Sequence, residues 1–291
     1  MTFLWITAGA VFCAIAAELI RSNTSLGTQQ YSVCNDKIPM AFDGYRIVLL
    51  SDLHGKSFGK NNAHLICKVV EQKPDLIVMA GDMLDKHQTE FGSFFSLIDA
   101  LLPVCPIVFG YGNHEIRLNK ETLSFIETEL NKRGVMSCND SRRIIERDGE
   151  SIIVYGLSVP LSFYKGINRA YDAACICDAD AIRSKLGASD TLQFNILTAH
   201  CPTLFGAYAE WGADLVLSGH MHGGLVRLPF VGGVLSPEIS FFPKYDAGVF
   251  LSGRRTMILS RGLGNGRLKF RFWNRGSVDI IVLKNGKCDA K

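Results

Sequence analysis

RIVLLSDLHG at residues 46–55, DLIVMAGD at 75–82 and PIVFGYGNHE at 106–115 decide the architecture. Each is a short run of branched and apolar residues that stops at Gly, Asp, Asn or His, as a strand buried on both faces does where it meets a loop. Between them, residues 61–73 and 119–133 carry Leu65, Val69 and Val70, then Leu123, Ile126 and Leu130, at helical spacing. Strands alternating with helices predict a largely parallel sheet with covered faces. The later runs SIIVYGLSVP (151–160), FNILTAHCP (194–202), DLVLSGHMHGG (214–224), TMILSRGLG (256–264) and VDIIVLKNG (278–286) leave less room for helix. They predict a second, mixed sheet packed on the first.

Of the seven histidines, His54, His114, His200, His220 and His222 stand at the ends of these runs, in SDLHG, GNHE, TAHCP and GHMHGG. Asp52 shares the first end, Asp82 ends AGD, and Asn113 precedes His114. In α/β sheets ligands bind at the carboxyl ends of strands. One histidine after a strand is ordinarily a loop residue, and one aspartate there a helix cap or turn former. Five imidazoles, two carboxylates and one carboxamide at successive strand ends exceed what those roles require. His64 and His87 lack such company and read as ordinary surface residues. Residues two apart on a strand point the same way, so Asp52 and His54 can share one ion, and the same period applies to His220 and His222. Imidazole with carboxylate suits Mn, Fe, Zn, Ni or Co rather than calcium. The donors are too many for one ion, which points to a two-metal site with ions about 3.5–4 Å apart.

Residues Thr2 to Leu19 are apolar apart from Glu18, just long enough to span a bilayer, which takes roughly 20 residues. A membrane anchor over 1–21 is expected, followed by a linker and lead-in over 22–44 and one catalytic domain over 45–291. A cleaved signal peptide ending near Ala14-Ile15-Ala16 and a buried core helix are the alternatives. Arg21, on the far side of the apolar run, favours a cytoplasmic domain. Nine cysteines, an odd number scattered at 13, 34, 67, 105, 138, 175, 177, 201 and 288, suit reduced thiols better than a disulfide framework. A 47% hydrophobic, 20% charged composition excludes a disordered chain, and a net charge of +3 is too small to argue for nucleic acid.

The ordered set SDLHG, AGD, GNHE, TAHCP and GHMHGG resembles the calcineurin-like metallophosphoesterases over roughly residues 45–285. The continuation HGGLVRLPFVGG…KYDAGVF…LSRGLG resembles a bacterial, membrane-anchored subgroup of phosphodiesterases. The resemblance implies an α/β fold, a four-layer α/β/β/α sandwich of two mixed sheets with a pair of divalent metals at their edge. Manganese is the expected metal, with Fe, Zn, Ni or Mg as alternatives. Carried over by residue, Asp52, His54 and His222 hold the first metal, Asp82 bridges, and Asn113, His200 and His220 complete the second. His114 does not ligate but, with Asn113, faces the phosphate as acid or transition-state stabiliser, and Glu115 orients it. Met221 and Leu225 depart from the subgroup's usual Thr and Gln, which touches substrate contacts and no ligand. The implied activity is hydrolysis of phosphate diesters or pyrophosphates at a membrane surface, on a lipid-linked or nucleotide-linked substrate. A phosphomonoesterase or phosphoprotein phosphatase would use the same centre, and a non-catalytic scaffold is the alternative of another class.

Two further stretches are ambiguous from sequence. Residues 225–250 include Phe230, Phe241 and Phe242, and fit either a hairpin packed on the sandwich or a surface lying on a bilayer. Arg254 to Arg275 carries seven basic residues and no acid, as a solvated face or a contact for anionic headgroups would.

Overall fold

The computed structural model describes residues 2–164, 177–237, 239–266 and 270–287. Its helices are α1 (Thr2–Thr24), α2 (Ala63–Val70), α3 (Gly92–Leu101), α4 (Asn113–Ile116), α5 (Lys120–Lys132), α6 (Ala179–Leu186) and α7 (Phe205–Trp211). The strands are β1 (Leu26–Asn35), β2 (Arg46–Leu50), β3 (Leu76–Ala80), β4 (Ile107–Gly110), β5 (Met136–Cys138), β6 (Ser141–Arg147) and β7 (Glu150–Leu157). They continue with β8 (Asn195–Ala199), β9 (Leu215–Ser218), β10 (Val226–Leu228), β11 (Gly232–Leu235), β12 (Gly248–Ser252), β13 (Arg255–Leu259) and β14 (Gly276–Asn285).

Two six-stranded mixed sheets form, ordered β1-β14-β2-β3-β4-β5 and β12-β13-β9-β8-β7-β6. Strands β2 to β5 are parallel, as are β7, β8, β9 and β13, while β14, β6 and β12 bring in antiparallel pairs. The strand period of two divides each strand between layers. On β2, Ile47 and Leu49 enter the core between the sheets, where they meet Val154, Ile196, Leu217 and Ile258. Val48 and Leu50 face outward onto Leu65 and Val69 of α2, Leu97 of α3 and Ile126 of α5. On the opposite face, Tyr155 and Leu197 pack under Ile182 of α6 and Tyr208 and Trp211 of α7. The result is the four-layer α/β/β/α sandwich, and it sets the C-terminal ends of β2, β3, β4, β8 and β9 along one rim.

Residues 22–44, expected as linker and lead-in, hold the end of α1 and the ten-residue β1, an edge strand parallel to β14 along its full length. An edge strand exposed on one face carries a weak apolar pattern, and Gly27-Thr-Gln-Gln30 hid it. Cys34 on this strand is disulfide-bonded, a departure from the uniformly reduced set expected. Cys13, Cys67, Cys105 and Cys138 are free thiols, the buried Cys201 Sγ lies 3.1 Å from Thr203 Oγ1, and Cys175 and Cys288 fall outside the described residues. Trp5, Val11 and Phe12 of α1 are exposed, which removes the buried-core alternative for this helix. By length and composition it could cross a membrane.

The basic segment does not form one solvated face. Arg271 is fully buried, Arg255 pairs with the buried Asp214, and Arg254 pairs with Asp36 at the surface. Arg267 and Lys269 lie outside the described residues.

Where the two sheets converge near β5, a Cβ on Gly156 would fall 2.6 Å from the Cys138 carbonyl carbon. Gly156→Ala should therefore lower stability by about 1–3 kcal/mol, read as a shifted urea midpoint. An unchanged midpoint would mean that the sheets separate there without resistance.

Candidate metal centre

Strand β2 ends at Leu50, β3 at Ala80 and β9 at Ser218, so the chemistry-bearing residues lie just past the strands rather than on them. Asp52, His54, Asp82, His220 and His222 all take positive φ, between 49° and 74°. Few non-glycine residues adopt this left-handed backbone, and its cost is met where a site demands it. The strand period therefore does not explain why Asp52 and His54 meet; two successive left-handed turns bring them together. The same geometry sends His220 and His222 to different neighbours.

Three groups of donor atoms result: Asp52 with His54 and His222, Asp82 with His200 and His220, and His54 with Asp82 and His114. Asp52 Oδ1 lies 3.4 Å from His222 Nε2 and 3.6 Å from His200 Nε2. Asp82 Oδ2 lies 3.1 Å from His200 Nε2, 3.8 Å from His54 Nε2 and 3.9 Å from His114 Nε2. His54 Nε2 and His222 Nε2 face each other at 3.2 Å. Asn113 Oδ1 is buried without a hydrogen-bond partner. A buried carbonyl oxygen so placed needs a donor or a cation, and this donor chemistry fits a pair of cations.

Tautomers follow from the partners. His200 Nδ1 sits 2.7 Å from the Ala80 carbonyl, so that nitrogen carries the proton and Nε2 faces the carboxylates. His114 Nδ1 accepts from the Lys86 N–H at 3.2 Å, which leaves its Nε2–H pointing into the site. Burial opposes charge on Asp52, yet His222, His200 and His54 around it hold its carboxyl below the usual range. Burial likewise opposes charge on Asp82, and His200, His54 and His114 hold it well below that range. The two carboxylates outweigh burial at His200 and lift it to about 10. Burial dominates at His114, pushed down to about 4, and at His222, pushed to about 3 with help from His54 and Arg271.

Glu115 does not touch the His114 ring. Its buried carboxylate instead accepts the N–H groups of Asp82, Gly112 and Leu84 at 2.8, 2.8 and 3.0 Å, tying the β3 end to the β4 end. Burial, then Asp82, push it up to about 7. His114 is held by the Lys86 N–H, while Asp85 Oδ2, 3.3 Å from the same unprotonated nitrogen, adds negative potential and no hydrogen bond. Asp85 was visible in AGDMLD, but nothing in the pattern marked it. A Cβ on Gly112 would overlap Asp82 Oδ1, so the β4 end must be glycine there for the carboxylate to fit.

Arg271 and Asn274 are the other residues the sequence concealed. Arg271 Nη1 donates to the His222 carbonyl at 3.2 Å, and Asn274 Nδ2 donates to the same oxygen at 2.7 Å. Asn23 of α1 holds Arg271 in turn: its Oδ1 accepts from the Arg271 N–H at 3.2 Å, and its Nδ2 donates to the Arg271 carbonyl at 2.9 Å.

The family profile described as calcineurin-like phosphoesterase matches residues 45–224. Metallophosphoesterase YkuE of Bacillus subtilis is 28% identical over 266 residues, 89% of this chain and 85% of that protein. Phosphodiesterase YaeI of Escherichia coli is 27% identical over 225 residues, 76% of each chain. Among solved structures, phosphopantetheinyl hydrolase from Mycobacterium tuberculosis aligns with a TM-score of 0.50 and 13% identity, covering 75% of this chain and 89% of that one, a likeness of fold.

In the metal-free protein His200 keeps its proton up to about pH 10, so a cation taking Nε2 below that pH must displace it. His222 and His114, already neutral, release none. Affinity for Mn should therefore rise roughly tenfold per pH unit between about pH 6 and 9 and level off above about 10. Calorimetric titration at several pH values checks this, and a pH-independent constant would remove His200 from the set.

Proposed function

The chain belongs to the calcineurin-like phosphoesterase family of metal-dependent phosphoesterases, and from that premise we propose a phosphodiesterase or pyrophosphatase working at a membrane surface. Asp52, His54 and His222 would hold one cation, Asn113, His200 and His220 the other, and Asp82 both. The observation that carries this reading is the position of Asp82 Oδ2, within 3.9 Å of His54, His200 and His114 at once. Manganese suits the imidazole and carboxylate donors, as do Fe, Zn and Ni. When bound, such ions supply Lewis acidity to water and to the phosphoryl group.

The chain's own residues supply the rest. His114, neutral and with Nε2–H turned inward, would donate to a non-bridging oxygen or to the leaving oxygen. The Lys86 N–H fixes that ring, and Glu115 keeps the loops carrying Asp82 and Asn113 in register. Diester preference draws on the likeness to the Escherichia coli phosphodiesterase. The membrane reading draws on α1, with its long exposed apolar surface, and on the exposed Phe230, Phe241 and Phe242. A lipid-linked phosphoester fits both features. The domain is assigned to the cytoplasmic face because Arg21 lies on its side of α1.

Full-length protein should hydrolyse a chromogenic phosphate diester across a metal series and leave the matching monoester untouched; monoester turnover at equal rate would make it a phosphatase. His114→Ala should lose on the order of 10²–10⁴-fold in kcat with metal content unchanged. Ion loss in that variant would turn His114 into a ligand. Sidedness is checked by protease on intact spheroplasts. A protected domain is expected; digestion would reverse the assignment and agree with the Cys34 disulfide.

A further inference from the structure

Behind the metal centre, between the β10–β11 hairpin and residues 271–275, lies a cavity of about 520 Å³. Arg227 and Arg261 line it together with Phe230 and Trp273. Arg227 is spoken for: it pairs with Asp246 at 2.9 Å and donates to the Gly223 carbonyl at 2.7 Å. Arg261 differs, because its Nε is buried without a hydrogen-bond partner. Among the described residues its guanidinium makes no side-chain hydrogen bond to a carboxylate. Asp279 and Asp246 act on it only through space, and a buried Nε–H with no acceptor is costly unless a ligand completes it.

The walls indicate what that ligand carries. Phe230, at the hairpin tip, is fully exposed, and Trp273 is 46% exposed. Phe241 and Phe242, which follow β11 in sequence, are exposed as well. This rim adjoins α1 near its C-terminal end: the Trp273 N–H donates to the Glu18 carboxylate, and the Asn274 N–H to Ser22 Oγ at 3.3 Å. The exposed apolar span of α1 begins one turn further back. If α1 enters a bilayer, the cavity mouth stands at the level of the headgroups, where aromatic and basic side chains concentrate.

We propose that this cavity binds the phosphate of an anionic membrane lipid, with Arg261 taking the charge and Phe230 and Trp273 flanking the glycerol and acyl carbons. The site is separate from the metal centre but shares a wall with it. Gly223, against which Arg227 and Arg261 both lean, directly follows His222. Occupancy would hold the metal-bearing loop at the membrane surface, beside any lipid-linked substrate. The proposal rests on the membrane reading of α1.

The test is calorimetric titration of full-length protein in maltoside micelles with dihexanoylphosphatidylglycerol, dihexanoylphosphatidylcholine and inorganic phosphate. Saturable binding of phosphatidylglycerol is expected, tighter than that of phosphatidylcholine, and weakened roughly tenfold by Arg261→Gln. Phe230→Ser, at a solvent-exposed tip where folding is not at stake, should weaken it as well. Unchanged binding by a folded Arg261→Gln protein would overturn the proposal. So would equal affinity for phosphatidylcholine, and so would inorganic phosphate displacing the lipid at equal concentration, which would make this a free-phosphate site. Alkaline carbonate washing of membranes reads α1 independently: extraction of the protein there, with Arg261-dependent lipid binding intact in micelles, would refute the anchor and not the cavity.

Discussion

Two carboxylates removed from water at one point set the terms for the whole molecule. Asp52 and Asp82 are fully buried and both lie within 3.6 Å of His200 Nε2. Left alone they would repel and take up protons. Imidazoles surround them on every side, and the carboxyls stay ionised at the expense of a proton locked on His200. A dication there would supply the same counter-charge more strongly. Positive charge is thus what the fold calls for at this point, and left-handed backbone gathers around it. Five candidate ligands sit in left-handed conformations that the two packed sheets must enforce.

That enforcement explains why the donors stand beyond strand ends. Rigid parallel strands β2, β3, β4, β8 and β9 deliver five loops to one rim with little freedom, as a site that must hold its geometry requires. Glu115 then locks two of those loops by taking three backbone N–H groups on one carboxylate. Its charge is costly in such a place, which is why burial lifts it to about 7. The three amide donors offset that cost and leave the carboxylate as a brace.

The alternation of apolar runs with helical spacing made the central strands readable, because strands buried on both faces carry little but apolar residues. Histidines at successive strand ends made the centre readable, because no structural role needs so many there. β1 was not readable: Thr, Gln and Gln on an exposed edge look like a linker. Nor could residue spacing show that Asp52 and His54 converge through positive φ, since that conformation is imposed by packing and leaves no mark at a non-glycine residue. Arg271 was hidden among six other basic residues. Only the fold distinguishes it, by burying it beneath His222 while Arg254 remains in water.

Burying Arg271 has a structural consequence for the helix that precedes the domain. Asn23 holds both the N–H and the carbonyl of Arg271, in the manner of a strand neighbour, and Ser22 receives the next turn at Asn274. Arg271 and Asn274 together clamp the carbonyl of His222. From the end of α1 to a candidate ligand there are two hydrogen-bonded steps, with no flexible segment between. The helix end is part of the support of the loop that carries His222, so the polar last turn of α1 belongs with the sandwich. The helix divides between an exposed apolar surface and a polar turn that grips the candidate site.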